Sequence, residues 1–109
     1  MEITIQTKAL SVNECWQGRR FKTKKYEAYE KEVAALLPRK ETIFGPKKVS
    51  LTFYLKELFR GDVDNLIKPV LDIIVKRGYI EDDRWIMELI VKKVKGNSKI
   101  EIKIEKYAL

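Results

Sequence analysis

The stretch FRGDVDNLIKPVLDIIVKRGYIEDDRWI, residues 59–86, decides how this chain is read. Leu66, Ile67, Val70, Leu71, Ile73, Ile74 and Val75 recur at helical spacing, which predicts a helix over 64–76. Gly78 in KRGY stops it, because glycine adopts the left-handed conformation that ends many helices. Just upstream, KKVSLTFYLK (47–56) puts Val49, Leu51, Phe53 and Leu55 on one face, the alternation of a strand. Just downstream, residues 86–94 are apolar on both faces and predict a well-covered strand. The helix carries apolar residues on more than one face. That suits burial within one copy of the chain, or a contact between two copies.

Residues 2–8, EITIQTK, alternate with Ile3 and Ile5 on one face, a half-buried strand. ALSVNECWQGRRFKT is irregular, with Asn13 and Gly18 as turn formers. Tyr26, Tyr29, Val33, Leu36 and Leu37 mark a helix from Lys24 to Leu37, with Thr23 as N-cap and Pro38 at its end. Gly96, Asn97 and Ser98 form a turn, and Ile100, Ile102 and Ile104 then alternate with charges, so the last third predicts a hairpin. The order β-α-β-α-β-β over residues 1–109 predicts one small α+β domain, a mixed sheet with helices packed on it.

The chain is 45% hydrophobic and 36% charged, enough for a core beneath a heavily charged surface and unlike a disordered segment. Its 23 Lys and Arg against 16 Asp and Glu give a formal charge of +7. That balance fits a polyanionic partner, although a merely soluble lysine-rich surface has the same composition. The absences exclude more. With no histidine, histidine-based triads and imidazole zinc sites are ruled out. The lone Cys15 forms no intrachain disulfide or multi-cysteine metal site, and packing is its expected role. No run reaches the roughly 18 apolar residues that span a bilayer. MEITIQTKALSV lacks the order of a signal peptide, so a cytoplasmic protein without membrane contact is expected.

Why a basic chain concentrates carboxylates at Asp62, Asp64, Asp82 and Asp83 has two answers. In the first, Asp62 or Asp64 caps the helix, Lys68, Asp72 and Lys76 continue a solvated stripe, and Asp82-Asp83 is a turn. In the second, the acids hold a metal. Two residues apart on extended backbone, Asp62 and Asp64 point to one side at roughly 6.6 Å spacing. That spacing suits a shared divalent ion or a pair of ions. The strand-helix-strand return can bring Asp82 and Asp83 beside them, and oxygen ligands alone favour Mg²⁺ or Mn²⁺ over Zn²⁺. For any single acid the first answer is the stronger; the joint pattern of DVDN, Lys68 and EDD favours the second.

That joint pattern resembles the RusA family of Holliday junction resolvases. SVNECW and GRRFKTKKYEAY are similar to the family's N-terminal loop and first helix, so the resemblance runs from about Ser11 to Ile86. It implies a homodimeric, Mg²⁺-dependent endodeoxyribonuclease, with Mn²⁺ as a substitute and no small-molecule cofactor. By position it implies that Asp62, Asp64 and Asp83 are the metal-binding catalytic aspartates, with Asp82 the alternative to Asp83. Lys68 is then the catalytic lysine, and Asn65 also matches the motif.

The reaction implied is hydrolysis of DNA phosphodiesters at a four-way junction, with Lys68 adding positive charge near the scissile phosphate. Two symmetric cuts call for two clusters, which a twofold dimer supplies. Arg19, Arg20, Lys22, Lys24 and Lys25, interleaved with Trp16, Phe21 and Tyr26, are the expected DNA-binding cluster, which Lys47 and Lys48 extend. For Trp16 two readings stand, stacking on bases or folding the loop onto the core; Tyr29 is assigned to the core. The alternative function is a non-catalytic binder of branched or double-stranded DNA.

Overall fold

Lys47, Val49, Leu51 and Phe53 are buried along one strand while Lys48, Ser50, Thr52 and Tyr54 between them are half-exposed, and this alternation defines the two faces of the sheet. The computed structural model describes residues 1–17, 21–38 and 41–109. Its elements are β1 (Glu2–Ile5), β2 (Trp16–Gln17), β3 (Phe21–Lys22), α1 (Lys24–Leu36), β4 (Lys47–Leu55), α2 (Asp64–Lys76), β5 (Ile86–Lys95) and β6 (Lys99–Lys106). Short 3₁₀ turns at Val12–Glu14 and Asp83–Trp85 precede β2 and β5. The architecture is α+β, as the sequence predicts. No helix among the described residues is long and apolar enough to cross a membrane.

The main sheet has the order β1-β6-β4-β5; β2 and β3 form a separate two-stranded ribbon. Only the β4–β5 pair is parallel. A parallel neighbour cannot be reached by a tight turn, so the chain must cross over, and α2 is that crossover. On the covered face Val49, Leu51 and Phe53 lie opposite Ile104, Ile102 and Ile100, and Ile3 and Ile5 extend the row. All eight are no more than 5% exposed. Tyr26, Tyr29 and Val33 of α1 and Val70, Leu71, Ile73 and Ile74 of α2 complete this core. Burying a large apolar side chain stabilises by about 1.5–3 kcal/mol, so this one layer carries the fold. The opposite face is polar, with Ser50, Thr52, Glu101 and Lys103 around a shallow hollow.

Local signals set the helix ends. Thr23 caps α1, its Oγ accepting from the Tyr26 amide at 3.1 Å. Helix α2 ends in a Schellman motif: the Tyr79 amide donates to the Ile74 carbonyl at 3.0 Å and the Gly78 amide to Val75 at 2.9 Å. Gly78 takes φ +81° there. The helix continues through Pro69, whose ring nitrogen cannot donate to the carbonyl of Asn65.

The predicted hairpin is not formed. Strands β5 and β6 flank β4 on opposite sides and do not touch as a pair. Gly96, Asn97 and Ser98 instead bridge over the end of β4, where the Gly96 amide donates to the Leu55 carbonyl at 3.0 Å. Three residues suffice: the gap is about two strand spacings, roughly 9.6 Å, and extended chain covers about 3.3 Å per residue. A Cβ at Gly96 would meet the Tyr54 ring at 3.4 Å, so the bridge passes close over that strand. As a result β5 is an edge strand rather than a well-covered one, with Met87 44% and Leu89 39% exposed. The first strand is also shorter than its pattern, ending at Ile5.

Gly78→Ala is expected to destabilise the protein by about 1–2 kcal/mol, the strain of a side chain at positive φ. The cost is conformational, since the nearest atom to a Cβ there is Thr42 Oγ1 at 3.9 Å. Urea unfolding should show a lower midpoint with an unchanged slope.

Candidate active site

The segment between β4 and α2 leaves Asp62 and Asp64 in solvent. Gly61 turns it with φ +91°, and Lys93 Nζ on β5 holds the Gly61 carbonyl at 2.8 Å. The first turn of α2 closes through backbone alone: the Asn65 amide donates to Asp62 O at 3.2 Å and the Leu66 amide to Val63 O at 3.1 Å. Val63 occupies the N-cap position and no side chain caps the helix, so neither aspartate is used for capping. Both carboxylates are exposed and make no hydrogen bond or ion pair among the described residues.

One turn further along α2, Lys68 stands between two acids. Its Nζ lies 2.8 Å from Asp72 Oδ1 and 3.3 Å from Asp83 Oδ2. Asp72 above all, with burial opposing and Asp83 adding to it, pushes the Lys68 pKa up from its ordinary value, so it is an ammonium throughout the neutral range. Lys68 is therefore a fixed positive charge and not a proton acceptor. The neighbouring pair divides its roles. Asp82 caps the 3₁₀ turn, accepting from the Arg84 amide at 2.9 Å, and this bond holds its carboxyl below the usual range. Asp83, the first residue of that turn, faces Lys68.

What fixes the acidic turn is a pair that the sequence reading passes over. Lys47 is fully buried at the start of β4, not part of a basic surface, because its position falls on the same face as Val49. A buried ammonium requires a counter-charge and hydrogen-bond acceptors. Lys47 Nζ finds Glu81 Oε1 and the Gly45 carbonyl, while Glu81 Oε2 accepts from the Gly45 amide at 2.7 Å. Lys47, then the Gly45 amide, draw the Glu81 carboxyl down to about 2. Glu81 is the residue before Asp82, so this clamp ties the acidic turn to the core of the sheet. A lysine two positions before Val49 on the apolar face of an alternating strand is the signal that exposes it. Lys48 points to the open face, 3.9 Å from Glu88.

Of the expected DNA-binding cluster, Arg19 and Arg20 lie outside the described residues. Trp16 is 42% exposed and meets the Tyr26 ring edge-on at 5.6 Å, so it is half packed and half presented. Phe21 is not folded onto the core but 72% exposed. Lys22 is engaged by Glu30 at 2.7 Å, and Glu30 also takes Lys76 at 3.1 Å. Lys24 and Lys25 are exposed at the start of α1, Lys25 only 3.8 Å from Glu14. Cys15 is buried, its Sγ donating to the Ser11 carbonyl, and burial pushes its thiol up to about 11. A cleft of about 600 Å³ separates the N-terminal loop from the segment before Asp62, with Lys8, Lys56 and Arg60 on its walls. These three cations are scattered through the sequence and carry no motif.

Residues 4–105 match the profile of the family described as Endodeoxyribonuclease RusA. The chain belongs to the RusA endodeoxyribonuclease family. It is accordingly a nuclease, and the match takes in both helices and the acidic turn. A search of curated proteins finds no significant match. In this RusA-family chain the donor chemistry at Asp62, Asp64 and Asp83 fits a hard divalent cation. Among the described residues, however, no three such side chains converge on one point, and Asp83 is held by Lys68.

The clamp predicts a specific pH dependence. Glu81 is depressed on folding, so its contribution is fully present above about pH 4.5 and lost as pH falls towards 2. Glu81→Gln should be markedly less stable than the parent at pH 7, and the gap should close by about pH 2. Thermal unfolding of both proteins across that range checks it; a constant gap rules the clamp out.

Proposed function

We propose that this RusA-family enzyme resolves four-way DNA junctions as a homodimer in recombination and repair, hydrolysing one phosphodiester in each of two symmetry-related strands. The observation that carries the reading is the family match over residues 4–105. It is joined by two aspartates at the head of α2 that have no partner among the described residues, one turn from a lysine that faces Asp83. In each cut, the oxygen of a water bonds to phosphorus as one P–O ester bond breaks, leaving a phosphomonoester and a hydroxyl. Asp62, Asp64 and Asp83 would hold the metal, Mg²⁺ with Mn²⁺ as a substitute. Such an ion lowers the pKa of water and offsets charge on phosphate.

The chain's own groups do the rest. Lys68, kept protonated and aimed by Asp72 and Asp83, places positive charge where a phosphate's non-bridging oxygens gather charge during attack. Lys24 and Lys25 at the start of α1, and Lys8, Lys56 and Arg60 along the cleft, offer phosphate contacts that position the strand without reading it. Exposed Phe21 and the free part of Trp16 offer ring faces to unstacked bases at a branch point. A non-catalytic binder of branched DNA is the second reading, favoured by the lack of a converged carboxylate triad among the described residues.

A synthetic four-way junction incubated with and without Mg²⁺ separates the two. Paired cuts only with the metal support the resolvase; tight binding with no product in Mg²⁺ or Mn²⁺ supports the binder. Asp64→Asn should lower cleavage by at least about a hundredfold, a loss of several kcal/mol in transition-state stabilisation, while binding holds or tightens. Normal cutting by that variant would remove Asp64 from the site. Lys24→Ala with Lys25→Ala should weaken junction binding at low salt and flatten the dependence of affinity on salt by a slope of about 1–2.

A further inference from the structure

Strand β5 is the outermost strand of the main sheet, so along one side its backbone donors and acceptors have no strand to pair with. Natural sheets cover such edges or defend them, commonly with lysines. Lys92, Lys93 and Lys95 look like that defence, but Lys93 turns its ammonium onto the Gly61 carbonyl at 2.8 Å. Met87 and Leu89 remain exposed on the same strand. The strand is ten residues long, more than a defended edge usually presents.

We propose that β5 pairs with β5 of a second copy of this chain, antiparallel, with Ile90 on the twofold axis. The register follows from symmetry. In a continuous antiparallel sheet made by a twofold axis, that axis stands perpendicular to the sheet and keeps each face on its own side. Side chains alternate between faces, so a residue can meet only a residue of its own parity in the other copy. A bulge at Met87 puts Ile86 on the other face, so Glu88, the only acid of β5, can meet positions 88, 90, 92 or 94, which are Glu, Ile, Lys and Val. Lys92 is the single complementary choice. It sets the rest: Ile90 meets itself and Leu89 meets Val91, and the bulge at Met87 ends the regular pairing beyond Glu88. The regularly paired stretch is Glu88–Lys92. Lys93, just beyond this stretch, is already turned to Gly61. Each Glu88 would sit between Lys48 of its own sheet and Lys92 of the second copy, with two such pairs per dimer.

This interface gives a surface to the two-copy assembly of the proposed function and rests on that reading for its purpose. Each β5 begins directly after the Asp83 turn. The pairing sets the two Glu88 residues roughly 13 Å apart along the ribbon, four residues at about 3.3 Å each, with both acidic turns outside it.

Cross-linking of the full chain tests the register. Oxidised Ile90→Cys should run as a disulfide-linked dimer and Val94→Cys should not; Cys15, buried at 1% exposure, adds little background. In analytical ultracentrifugation, Glu88→Lys and Lys92→Glu should each weaken the dimer at least about tenfold, because like charges then face each other twice. The double swap should return it to within about threefold. A chain that stays monomeric, or a dimer indifferent to both single swaps and cross-linked at 94 rather than 90, overturns the proposal. Junction cleavage is scored separately: a β5-linked dimer that cuts no junction would refute the functional reading and leave the interface standing.

Discussion

A buried ammonium organises this molecule. Lys47 sits at the mouth of the central strand on its apolar face, where an unpaired charge would not be tolerated. Its two partners come from either side of the long excursion that makes the crossover: Gly45 just before the strand and Glu81 just after the helix. Satisfying one charge thereby fixes where α2 must return. It also sets the starting point of β5 and of the turn bearing Asp82 and Asp83. A hydrophobic residue at position 47 could have packed there with no such demand on the return path. The pair is best understood as a specification of geometry rather than as a source of stability, since a buried ion pair and a well-packed apolar substitute are often close in energy.

The electrostatics of the acidic end follow a similar logic of division. In a chain with a formal charge of +7, most carboxylates are taken up by cations: Glu30 by Lys22 and Lys76, Glu81 by Lys47, Asp72 and Asp83 by Lys68. Asp62 and Asp64 have no such partner among the described residues. In a RusA-family nuclease, this uncompensated negative charge lies beside a helix whose Lys68 cannot titrate near neutrality. Acids without a cationic partner leave negative charge exposed at that end of the sheet. The same chain carries Lys8, Lys56 and Arg60 along a neighbouring cleft, so attraction for a cation and for a polyanion meet at one end of the sheet.

What was legible in the sequence is what local chemistry decides. The alternation of Val49, Leu51 and Phe53, the Thr23 cap and the Gly78 stop each depend on residues within one turn or one strand, and each stands where its pattern puts it. Strand pairing is different. Gly96, Asn97 and Ser98 serve equally well for a hairpin or for a bridge across a strand, and only the presence of β4 between β5 and β6 decides. The Lys47–Glu81 pair joins residues 34 apart, so half of it is visible as a charge on an apolar face and its partner is not. The different duties of Asp82 and Asp83 depend on a three-residue 3₁₀ turn that a doublet of identical letters does not announce.

The split between β5 and β6 has a consequence for how the chain reaches this state. No pair of strands in the main sheet is joined by a hairpin: β1 meets β6 across nearly the whole sequence, Ile3 opposite Ile102, and β4 meets β6 with Phe53 opposite Ile100. Helix formation is local and fast, whereas these pairings must close loops of dozens of residues before any ladder is rewarded. The final strand is the one that both β1 and β4 need. Strand β1 therefore has no partner in the sheet until β6 is in place. β6 is the keystone of the sheet, the one strand that holds β1 to β4.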